Sequence, residues 1–358
     1  MGIKPNWDVV GVGLNAVDFL CVVPHLPAFD TKLKMSRFRL SGGGQVATAL
    51  VALSRWKLKC AYVGKVGGDE LGKFTIRELE REGVDTSSVS VASGAASQCA
   101  AILIDETSGE RTIVWHRPEE AKLTPADVPA ELVASGRALL IDGHEAAAAL
   151  SAARAARKSG RTVLLDAEEI SPLTQEIVAS TDHCIGIAGF VRAYSGLEDL
   201  REGLEAIRAA GPSVAGVTMG REGCVALDEN GIVAKGGFQV PVVDTTGCGD
   251  VFHAGYLYGL LNGWPMGRRL DFANAAAALK CRELGGRAGI PTLEELEPRL
   301  RQRKTEGDVD MEPRLRTARA EMGHAAMFDH VVVNYSGRLD ETVAAITEII
   351  TQAKRRPG

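Results

Sequence analysis

The sequence predicts an α/β fold with a doubly wound, mostly parallel sheet and helices on both of its faces. Short apolar runs rich in β-branched residues alternate with helical patterns over most of the chain, which is the order that βαβ units produce. These runs show no polar–apolar alternation, as expected for strands buried on both faces. Two other stretches do alternate, and they predict a small antiparallel sheet beside the main one.

The elements of the main domain follow from local composition. Five apolar segments carry the strand pattern, and three segments between them are rich in Ala, Leu and Arg, which favour helix. The predicted strands span residues 8–13, 60–63, 138–142, 162–166 and 214–218, and the predicted helices span 47–56, 146–159 and 200–210.

The smaller sheet is predicted from segments with a period of two residues. Residues 33–40 alternate apolar and polar side chains, and residues 98–104 and 111–116 flank a turn-like Glu-Thr-Ser-Gly segment as in a hairpin. Within about 14–40 and 95–118, these segments predict a β lid over a substrate site.

Charge and cysteine content narrow the class of protein. The net charge is −5 with both signs well mixed, which gives no general attraction to nucleic acid or to an anionic membrane. The seven cysteines show neither metal-ligand spacing nor a disulfide framework, and the N-terminus shows no signal-peptide pattern. No apolar window reaches the length of a bilayer span. We expect a cytoplasmic protein whose partner is a small molecule.

The strongest functional signal is the segment Asp-Thr-Thr-Gly-Cys-Gly-Asp at 244–250, which leads into a helix predicted from Val251. Glycines let the backbone approach a phosphate closely, and the unpaired N–H groups of a helix N-terminus attract anions. The carboxylate of Asp250 suits such a site as the base that takes a proton from an acceptor hydroxyl. The alternative is that Asp250 only caps the helix, which Asp does well.

This segment resembles the C-terminal signature Asp-Thr-x-Gly-Ala-Gly-Asp of the ribokinase-like carbohydrate kinases of the phosphofructokinase-B type. Cys248 stands where the signature usually has Ala, and we expect it to be a small buried residue rather than a reactive thiol. The resemblance covers about residues 7–290, and its segments at 83–91 and 109–117 read closest to ketohexokinase-like members. It implies a ribokinase-like fold and ATP-dependent phosphorylation of a sugar hydroxyl.

The resemblance also implies roles for individual residues. Asp250 is the catalytic base, and Gly247, Cys248 and Gly249 supply backbone donors to the transferring phosphoryl group. The implied substrate-binding residues are Asp18, Asp30, Gly43, Gly44, Gln45 and Thr48. The implied nucleotide-binding residues are Thr218, Gly220, Gly223, Thr245, Gly247, Gly249 and Asn274.

Two departures from the family pattern limit which properties of the family can be expected of this chain. The family usually has Gly-Gly-Asn-x-x-Asn at the sugar site, where this chain has Gln45 and Thr48, so the pocket keeps polar groups in a different geometry. Many members have an Asn-x-x-Glu motif that organises magnesium, and Ile187 and Phe190 occupy those positions here. The resemblance still implies ATP and Mg²⁺ as cofactors, and it leaves open whether a monovalent cation binds in addition. It does not assign the protein ligands of the metal.

Three functions remain open from the sequence. The first is a kinase for a ketose or a related carbohydrate, favoured by the two substrate-side aspartates and the ketohexokinase-like hairpin. The second is a nucleoside kinase of the same family, favoured by the altered pair Gln45 and Thr48. The third is a non-catalytic binding or assembly protein, favoured by the missing magnesium motif. We prefer the first, expect a homodimer through the β lid, and expect Arg111 and Arg117 to be solvated.

The chain after residue 290 has a different, highly charged helical composition. From about 291 to 354 it resembles the C-terminal part of guanylate kinase, including the strand-like Phe-Asp-His-Val-Val-Val-Asn at 328–334. The phosphate-binding loop and the GMP-binding region of that family are absent. We therefore predict a carbohydrate kinase domain at 1–290 and a helical, non-catalytic appendage at 291–358.

Overall fold

The computed structural model describes residues 5–109 and 111–306. Its strands are β1 (Trp7–Val12), β2 (Ala16–Val23), β3 (Arg37–Gly43), β4 (Cys60–Gly67), β5 (Asp85–Ala92), β6 (Cys99–Asp105), β7 (Arg111–His116), β8 (Gly136–Asp142), β9 (Thr162–Ala167), β10 (His183–Ile187), β11 (Val214–Thr218), β12 (Cys224–Asp228) and β13 (Gly231–Lys235). Its α-helices are α1 (Gln45–Arg55), α2 (Glu70–Arg81), α3 (Ala130–Ala134), α4 (Ala146–Lys158), α5 (Thr174–Ala179), α6 (Ala188–Ser195), α7 (Leu200–Ala209), α8 (Cys248–Leu261), α9 (Met266–Lys280) and α10 (Leu293–Glu306).

The main sheet has the strand order β13-β12-β11-β10-β9-β8-β1-β4-β5. The strands from β11 to β5 run parallel, and β12 and β13 join antiparallel at one edge. The chain builds outward from β1 to β5 and later from β8 to β13 on the other side, so the order reverses between β1 and β8. Ligands of open α/β sheets bind at such a point, beyond the carboxyl ends of the strands. The predicted doubly wound fold is confirmed.

Two hydrophobic cores separate the sheet from its covering helices. On one face, α1, α8 and α9 pack around Trp56, Tyr256 and Phe272, and the rings of Trp56 and Phe272 meet edge to face at 5.3 Å. On the other face, the alanine-rich α4 and the Leu204 and Ile207 side chains of α7 pack on the apolar strands. Burial of the sheet on both faces explains its uniformly apolar strands.

The lid is a four-stranded sheet of order β3-β2-β6-β7. Its outer pairs, β3 with β2 and β6 with β7, are antiparallel, and the central pair, β2 with β6, is parallel. Leu20, Val22, Ile102 and Ile104 form its apolar inner face with Leu284, from the loop after α9. The lid is thus held to the main domain through the loop that also contacts the turn before α8.

Helix α8 begins at Cys248 rather than at the predicted Val251. Gly247 caps it with a left-handed φ of 78°, a conformation that suits glycine. Asp250 therefore lies inside the first helical turn instead of before it. Similarly, β3 begins at Arg37 rather than at residue 33.

The segment directly after residue 290 packs on the main domain. Leu296 of α10 is fully buried in the same core as Trp56, and the Trp56 indole Nε1 donates a hydrogen bond to the Pro291 carbonyl oxygen at 2.9 Å. The remainder of the guanylate-kinase-like stretch, from residue 307, lies outside the described residues. Among the helices of the described part, none has the length and apolarity to cross a bilayer.

Candidate active site

Polar residues gather where the central parallel strands end. β8 ends at Asp142, β9 carries Asp166 near its end, and β11 ends at Thr218. Asp142 is fully buried, and its Oδ2 accepts a hydrogen bond from the Leu14 N–H at 2.7 Å, which fixes the turn after β1. The carboxyl ends of parallel strands share one edge, so these groups lie at the edge where ligands of such sheets bind.

The turn before α8 is organised by the fully buried carboxylate of Asp244. Its Oδ1 accepts hydrogen bonds from the backbone N–H and the hydroxyl of Thr246 at 2.8 and 2.7 Å, and its Oδ2 accepts one from the Gly285 N–H at 2.8 Å. Lys280 Nζ donates to the Asp244 carbonyl oxygen at 3.0 Å. These bonds hold the turn in one conformation and join it to the loop after α9.

Residues 247–250, which we call the anion turn, leave backbone donors free. A Cβ on Gly247 would lie 2.8 Å from the Gly286 Cα, so only glycine fits at this left-handed position. The N–H groups of Gly249 and Asp250 have no carbonyl partner in the described part of the chain. A Cβ on Gly249 would meet nothing within 4 Å. Free amides at a helix N-terminus next to open space form an anion site.

The Asp250 carboxylate lies in the first turn of α8 and is partly accessible to solvent. Within the described residues no hydrogen bond holds it. Its pKa is raised well above the ordinary value, first by withdrawal from bulk water and then by the negative charges of Asp166, Cys248 and Glu168. Such a carboxylate accepts a proton more readily than an exposed Asp does, which is the property a general base needs.

Asp18 lies on β2 against the backbone of Gly43. A Cβ on Gly43 would lie 2.2 Å from Asp18 Oδ2, so the glycine makes room for this carboxylate. Burial raises the pKa of Asp18 to about 6, and the charge of Arg287 opposes that shift. The charge of Asp18 also contributes to the raised pKa of Asp250, so the two carboxylates share one electrostatic neighbourhood.

The altered pair Gln45 and Thr48 is brought to the same place by α1. Gln45 Nε2 donates to Glu168 Oε2 at 2.6 Å, while Gln45 Oε1 and Thr48 Oγ1 are buried without a hydrogen-bond partner in the part of the chain that the structure describes. Gly44 caps α1 with a φ of 86°, and a Cβ there would lie 2.5 Å from the Leu14 carbonyl oxygen. Buried polar atoms normally have partners, so these two need a ligand or water.

Asp30 has no hydrogen bond or ion pair to the cluster among the described residues. It is exposed in the loop between β2 and β3, where its φ is 56°. Within the described residues no hydrogen bond or ion pair joins it to Asp18. A role of Asp30 in sugar binding therefore stays a prediction.

The residues predicted on the nucleotide side form a second group at the turn between β11 and β12. Thr218 Oγ1 donates to the Gly186 carbonyl oxygen at 3.5 Å. Gly220 and Gly223 have φ angles of 58° and 101°, and a Cβ on Gly223 would lie 2.0 Å from the Lys235 carbonyl oxygen. Gly223 lets this turn lie directly on the end of β13.

Asn274 joins the same group from α9 and is 6% exposed. Its Nδ2 donates to the carbonyl oxygens of Lys235 and Gly236 at 3.1 and 3.2 Å. The amide therefore braces the end of β13, and direct contact of Asn274 with a nucleotide stays a prediction.

Arg117 is not free in solvent, so that expectation is wrong for Arg117, whereas Arg111 is exposed. Arg117 Nη1 pairs with Glu145 Oε1 at 3.2 Å, and the two side chains are only 12% and 10% exposed. Arg111 Nη1 donates to the hydroxyl of Thr245, one of the residues predicted at the nucleotide. Arg111 thereby links the edge strand of the lid to the turn before α8.

Three side chains at the site were not predicted: Asp166, Glu168 and His253. His253 is almost fully buried, with Nδ1 2.8 Å from the Gly249 carbonyl oxygen and 3.4 Å from Asp166 Oδ2, and with Nε2 3.1 Å from the Ile185 carbonyl oxygen. The ring thus ties the anion turn to β9 and β10. The only sequence signal for any of them was the position of Asp166 at the end of a predicted strand.

The donor set fits a magnesium ion held mainly by phosphates. Ile187 and Phe190, at the positions of the family's magnesium motif, offer no ligand atoms, and Phe190 is buried in the core. Within residues 5–109 and 111–306, no cluster of three or more His, Cys, Asp or Glu side chains has the arrangement of a metal site. Mg²⁺ at nucleotide sites usually takes only one or two carboxylates together with phosphate oxygens. Asp166 and Glu168 supply carboxylates near Asp250.

Comparison with known proteins gives the class to which this fold and site belong. The pattern of the pfkB family of carbohydrate kinases matches residues 7–293. The chain therefore belongs to the pfkB family of carbohydrate kinases, and its fold is ribokinase-like. It is a carbohydrate phosphotransferase.

Individual relatives agree with this class. A 5-dehydro-2-deoxygluconokinase from Clostridium perfringens is 27% identical over 326 residues, which cover 85% of this chain and 95% of that protein. A solved structure from Agrobacterium tumefaciens, provisionally named a ribokinase, is 30% identical with a TM-score of 0.78, covering 83% of this chain and 98% of the other. An E. coli protein provisionally named ribokinase II, solved with ATP and Mg²⁺, shares the fold at 22% identity and a TM-score of 0.74, covering 83% of this chain and 100% of the other.

Proposed function

We propose that this chain is an ATP-dependent kinase that phosphorylates a hydroxyl of a ketose or a related keto sugar, with Asp250 as the general base. The observation that carries the proposal is the position of the Asp250 carboxylate beside the N–H groups of the anion turn, with no hydrogen-bond partner for the carboxylate among the described residues. An acidic residue beside an anion site is unfavourable for phosphate binding alone, because like charges repel. It is favourable where an acceptor hydroxyl must lose its proton as the phosphoryl group arrives.

In this mechanism the anion turn receives the γ-phosphoryl group. The N–H groups of Gly249 and Asp250 donate to its oxygens and stabilise the charge that develops during transfer. Asp250 orients the acceptor hydroxyl and takes its proton. Asp244 and His253 keep the turn in position through the hydrogen bonds described above.

The sugar would lie between the lid and α1. The Asp18 carboxylate, Gln45 Oε1 and Thr48 Oγ1 offer hydrogen-bonding atoms to its hydroxyls, and the amide and hydroxyl oxygens have no hydrogen-bond partner among the described residues. The Clostridium perfringens relative is named for a keto-substituted gluconate, which supports a keto sugar, including a sugar acid, as the substrate class. We propose Asp30 as a further contact to the same substrate.

The nucleotide would extend from the anion turn along the carboxyl edge of the sheet toward Thr218, Gly220 and Gly223. The E. coli neighbour that was solved with ATP and Mg²⁺ supports this choice of cofactors. Mg²⁺ would neutralise part of the charge on the phosphates. The carboxylates of Asp166 and Glu168 would hold its hydration shell.

A nucleoside kinase is the second candidate. The unpaired Gln45 Oε1 and Thr48 Oγ1 would pair with the hydroxyls of a ribose as readily as with those of a ketose. A screen of ATP-dependent ADP release over ketoses, 5-dehydro-2-deoxygluconate, aldoses and nucleosides separates the candidates. The proposal predicts turnover on a keto sugar. Turnover on nucleosides alone would replace it, and ligand binding without any turnover would indicate a non-catalytic protein.

A further inference from the structure

The last residue of α9 places a positive charge inside the protein, next to the segment that leads into the anion turn. Lys280 is 0% exposed, although lysine is almost never fully buried without a charged partner. Its Nζ donates a hydrogen bond to the backbone carbonyl oxygen of Asp244 at 3.0 Å. Among the described residues, no carboxylate forms an ion pair with it. Phosphoryl transfer as described above leaves this buried charge without a role.

Backbone hydrogen bonds join the end of α9 to the lead into the anion turn. The Cys281 carbonyl oxygen accepts from the N–H groups of Val243 and Asp244 at 2.8 and 3.2 Å. The Gly285 N–H, from the loop after α9, donates to Asp244 Oδ2 at 2.8 Å. Because these bonds fix the end of α9 against residues 243 and 244, the Lys280 ammonium keeps one position relative to the turn.

The charge of Lys280 acts on the groups of the anion turn. Burial lowers the pKa of Lys280, and the negative charges around it oppose that shift, with Asp244 first and Asp250 among them. The ammonium and the proposed base therefore lie in one electrostatic neighbourhood. Burying a charge that only a carbonyl oxygen contacts is unfavourable for stability. A positive charge at this place does, however, offset the negative charge of the carboxylates and of an arriving phosphoryl group.

A monovalent cation bound at the same place would have the same electrostatic effect. Carbonyl oxygens are ligands that K⁺ accepts in place of its water shell, and the Asp244 carbonyl oxygen is such a group. An ion on this oxygen would lie a few ångströms from the Lys280 ammonium, and two positive charges that close together in a buried site repel strongly. The residues present therefore do not fit a monovalent cation at this carbonyl oxygen, because the chain fills the position with a charge of its own.

We propose that Lys280 supplies the anion turn with the positive charge that a monovalent cation would otherwise supply, so that this kinase works without such a cation. The inference rests on the phosphoryl transfer proposed above for this turn. Lys280 is fully buried and acts through its charge and through the Asp244 backbone, so it is a positioning residue. Removal of its side chain should leave a space next to a carbonyl oxygen, in which K⁺ can replace the lost charge.

The experiment compares KCl with tetramethylammonium chloride, whose cation is too bulky for a buried site, at the same ionic strength of about 0.15 M. For the full-length unaltered protein we expect the same kcat/KM for ATP and the same melting temperature in both salts. For Lys280→Met we expect kcat/KM to fall by about tenfold to 100-fold in tetramethylammonium chloride. KCl should restore most of that loss and raise the melting temperature of this variant, because an ion that binds only the folded state stabilises it.

Lys65→Met is the matched control. The side chain of Lys65, on β4, is only 19% exposed, but it pairs with Asp127 at 3.4 Å, so this variant should behave alike in the two salts. The melting temperatures are measured without any sugar, so their result is independent of the proposed function. An unaltered protein that KCl activates or stabilises overturns the proposal, and so does a Lys280→Met protein that behaves alike in the two salts. If Lys280→Met does not fold, the comparison of the two salts with the unaltered protein decides.

Discussion

At the scale of single residues, Asp18 shows how the substrate pocket affects stability. It is 6% exposed, and burial raises its pKa from 3.8 to about 6. The folded state therefore binds this proton more tightly than the unfolded chain does. The contribution of Asp18 to stability falls as pH rises from 3.8 to about 6, and above that range the folded state carries the full cost of a buried charge.

We expect Asp18→Asn to stabilise the protein at neutral pH. Because the amide removes a buried charge, the free energy of unfolding should rise by on the order of 2–3 kcal/mol above pH 6 and change little near pH 4. Urea unfolding at about pH 8 and about pH 4 measures both values. The same variant should bind the sugar more weakly, because the carboxylate is proposed to hold a hydroxyl.

Asp30→Asn is the matched control, since it makes the same change at an exposed position. It should leave the free energy of unfolding unaltered at both pH values. A lower stability of Asp18→Asn at about pH 8 would contradict the account of Asp18 as a destabilising buried carboxylate.

The residues of the anion turn could be predicted because they are contiguous, so that glycines, an acidic residue and a helix start appear together at 244–250. His253 and Asp166 could not be predicted in the same way. Their contact, 3.4 Å between His253 Nδ1 and Asp166 Oδ2, joins segments 87 positions apart. Only the pairing of β9 with its neighbours and the packing of α8 bring them together.

At the scale of elements, the two glycines of the anion turn have different functions. Gly247 has a positive φ and no room for a Cβ, whereas Gly249 lies within α8 with open space where a Cβ would go. The first glycine is thus required by the fold, and the second keeps space for the phosphoryl group.

Alanine substitutions should separate these functions. Gly247→Ala should lower the free energy of unfolding by about 1–2 kcal/mol or more, because Ala is strained in a left-handed conformation. Gly249→Ala should leave stability unchanged or slightly raised, since Ala favours helix, yet reduce kcat/KM for ATP by about tenfold or more by occupying the phosphate space. Thermal unfolding and steady-state kinetics of both variants test this. Normal kinetics in a folded Gly249→Ala protein would place the phosphate elsewhere.

The early start of α8 has a cause outside the helix. Its apolar pattern begins only at Val251, which is why the sequence predicts a helix from that residue. The helical conformation from Cys248 onward follows from a turn that the buried Asp244 carboxylate holds through Thr246 and Gly285. Gly285 comes from the distant loop after α9, so no local pattern around residue 248 contains this information.

At the scale of the whole molecule, the main sheet could be predicted from the sequence, whereas the strand pairing inside the lid could not. Uniformly apolar strands between helical segments are sufficient to predict a parallel sheet covered on both sides. The parallel pairing of β2 with β6 in the lid joins segments about 80 positions apart, with Val17 beside Cys99. Strand pairing over such separations leaves no periodic signal in either strand.

The position of the domain boundary can be tested by truncation. The family pattern ends at residue 293, but Leu296 is fully buried in the core, and Trp56 donates to the Pro291 carbonyl oxygen. A chain ending at residue 290 should therefore lose about 2–3 kcal/mol or more of stability, whereas a chain ending at residue 306 keeps these contacts and should retain activity. The melting temperatures of the two truncated chains measure this difference in stability. Equal stability would support the predicted boundary at 290.

The predicted homodimer is a further proposal at this scale. The edge strand β7 exposes Ile113, Val114 and Trp115 by 46%, 63% and 59%, and an exposed apolar edge strand favours association. Light scattering should find a dimer, and Val114→Glu should shift it to a monomer. Ile170→Glu, at an exposed apolar residue outside the lid, is the control and should leave the mass unchanged. A monomeric unaltered protein would contradict this assembly.

The most direct test of the account is the rate of phosphoryl transfer by Asp250→Asn. The amide keeps the shape of the side chain but cannot take a proton, so kcat should fall by about 10²–10⁴ while ATP and sugar still bind. Glu229→Gln, an exposed carboxylate in the turn between β12 and β13, is the control and should keep full activity. A single-turnover measurement with saturating ATP and sugar gives the transfer rate itself. Transfer by Asp250→Asn at the rate of the unaltered protein would contradict the assignment of the base.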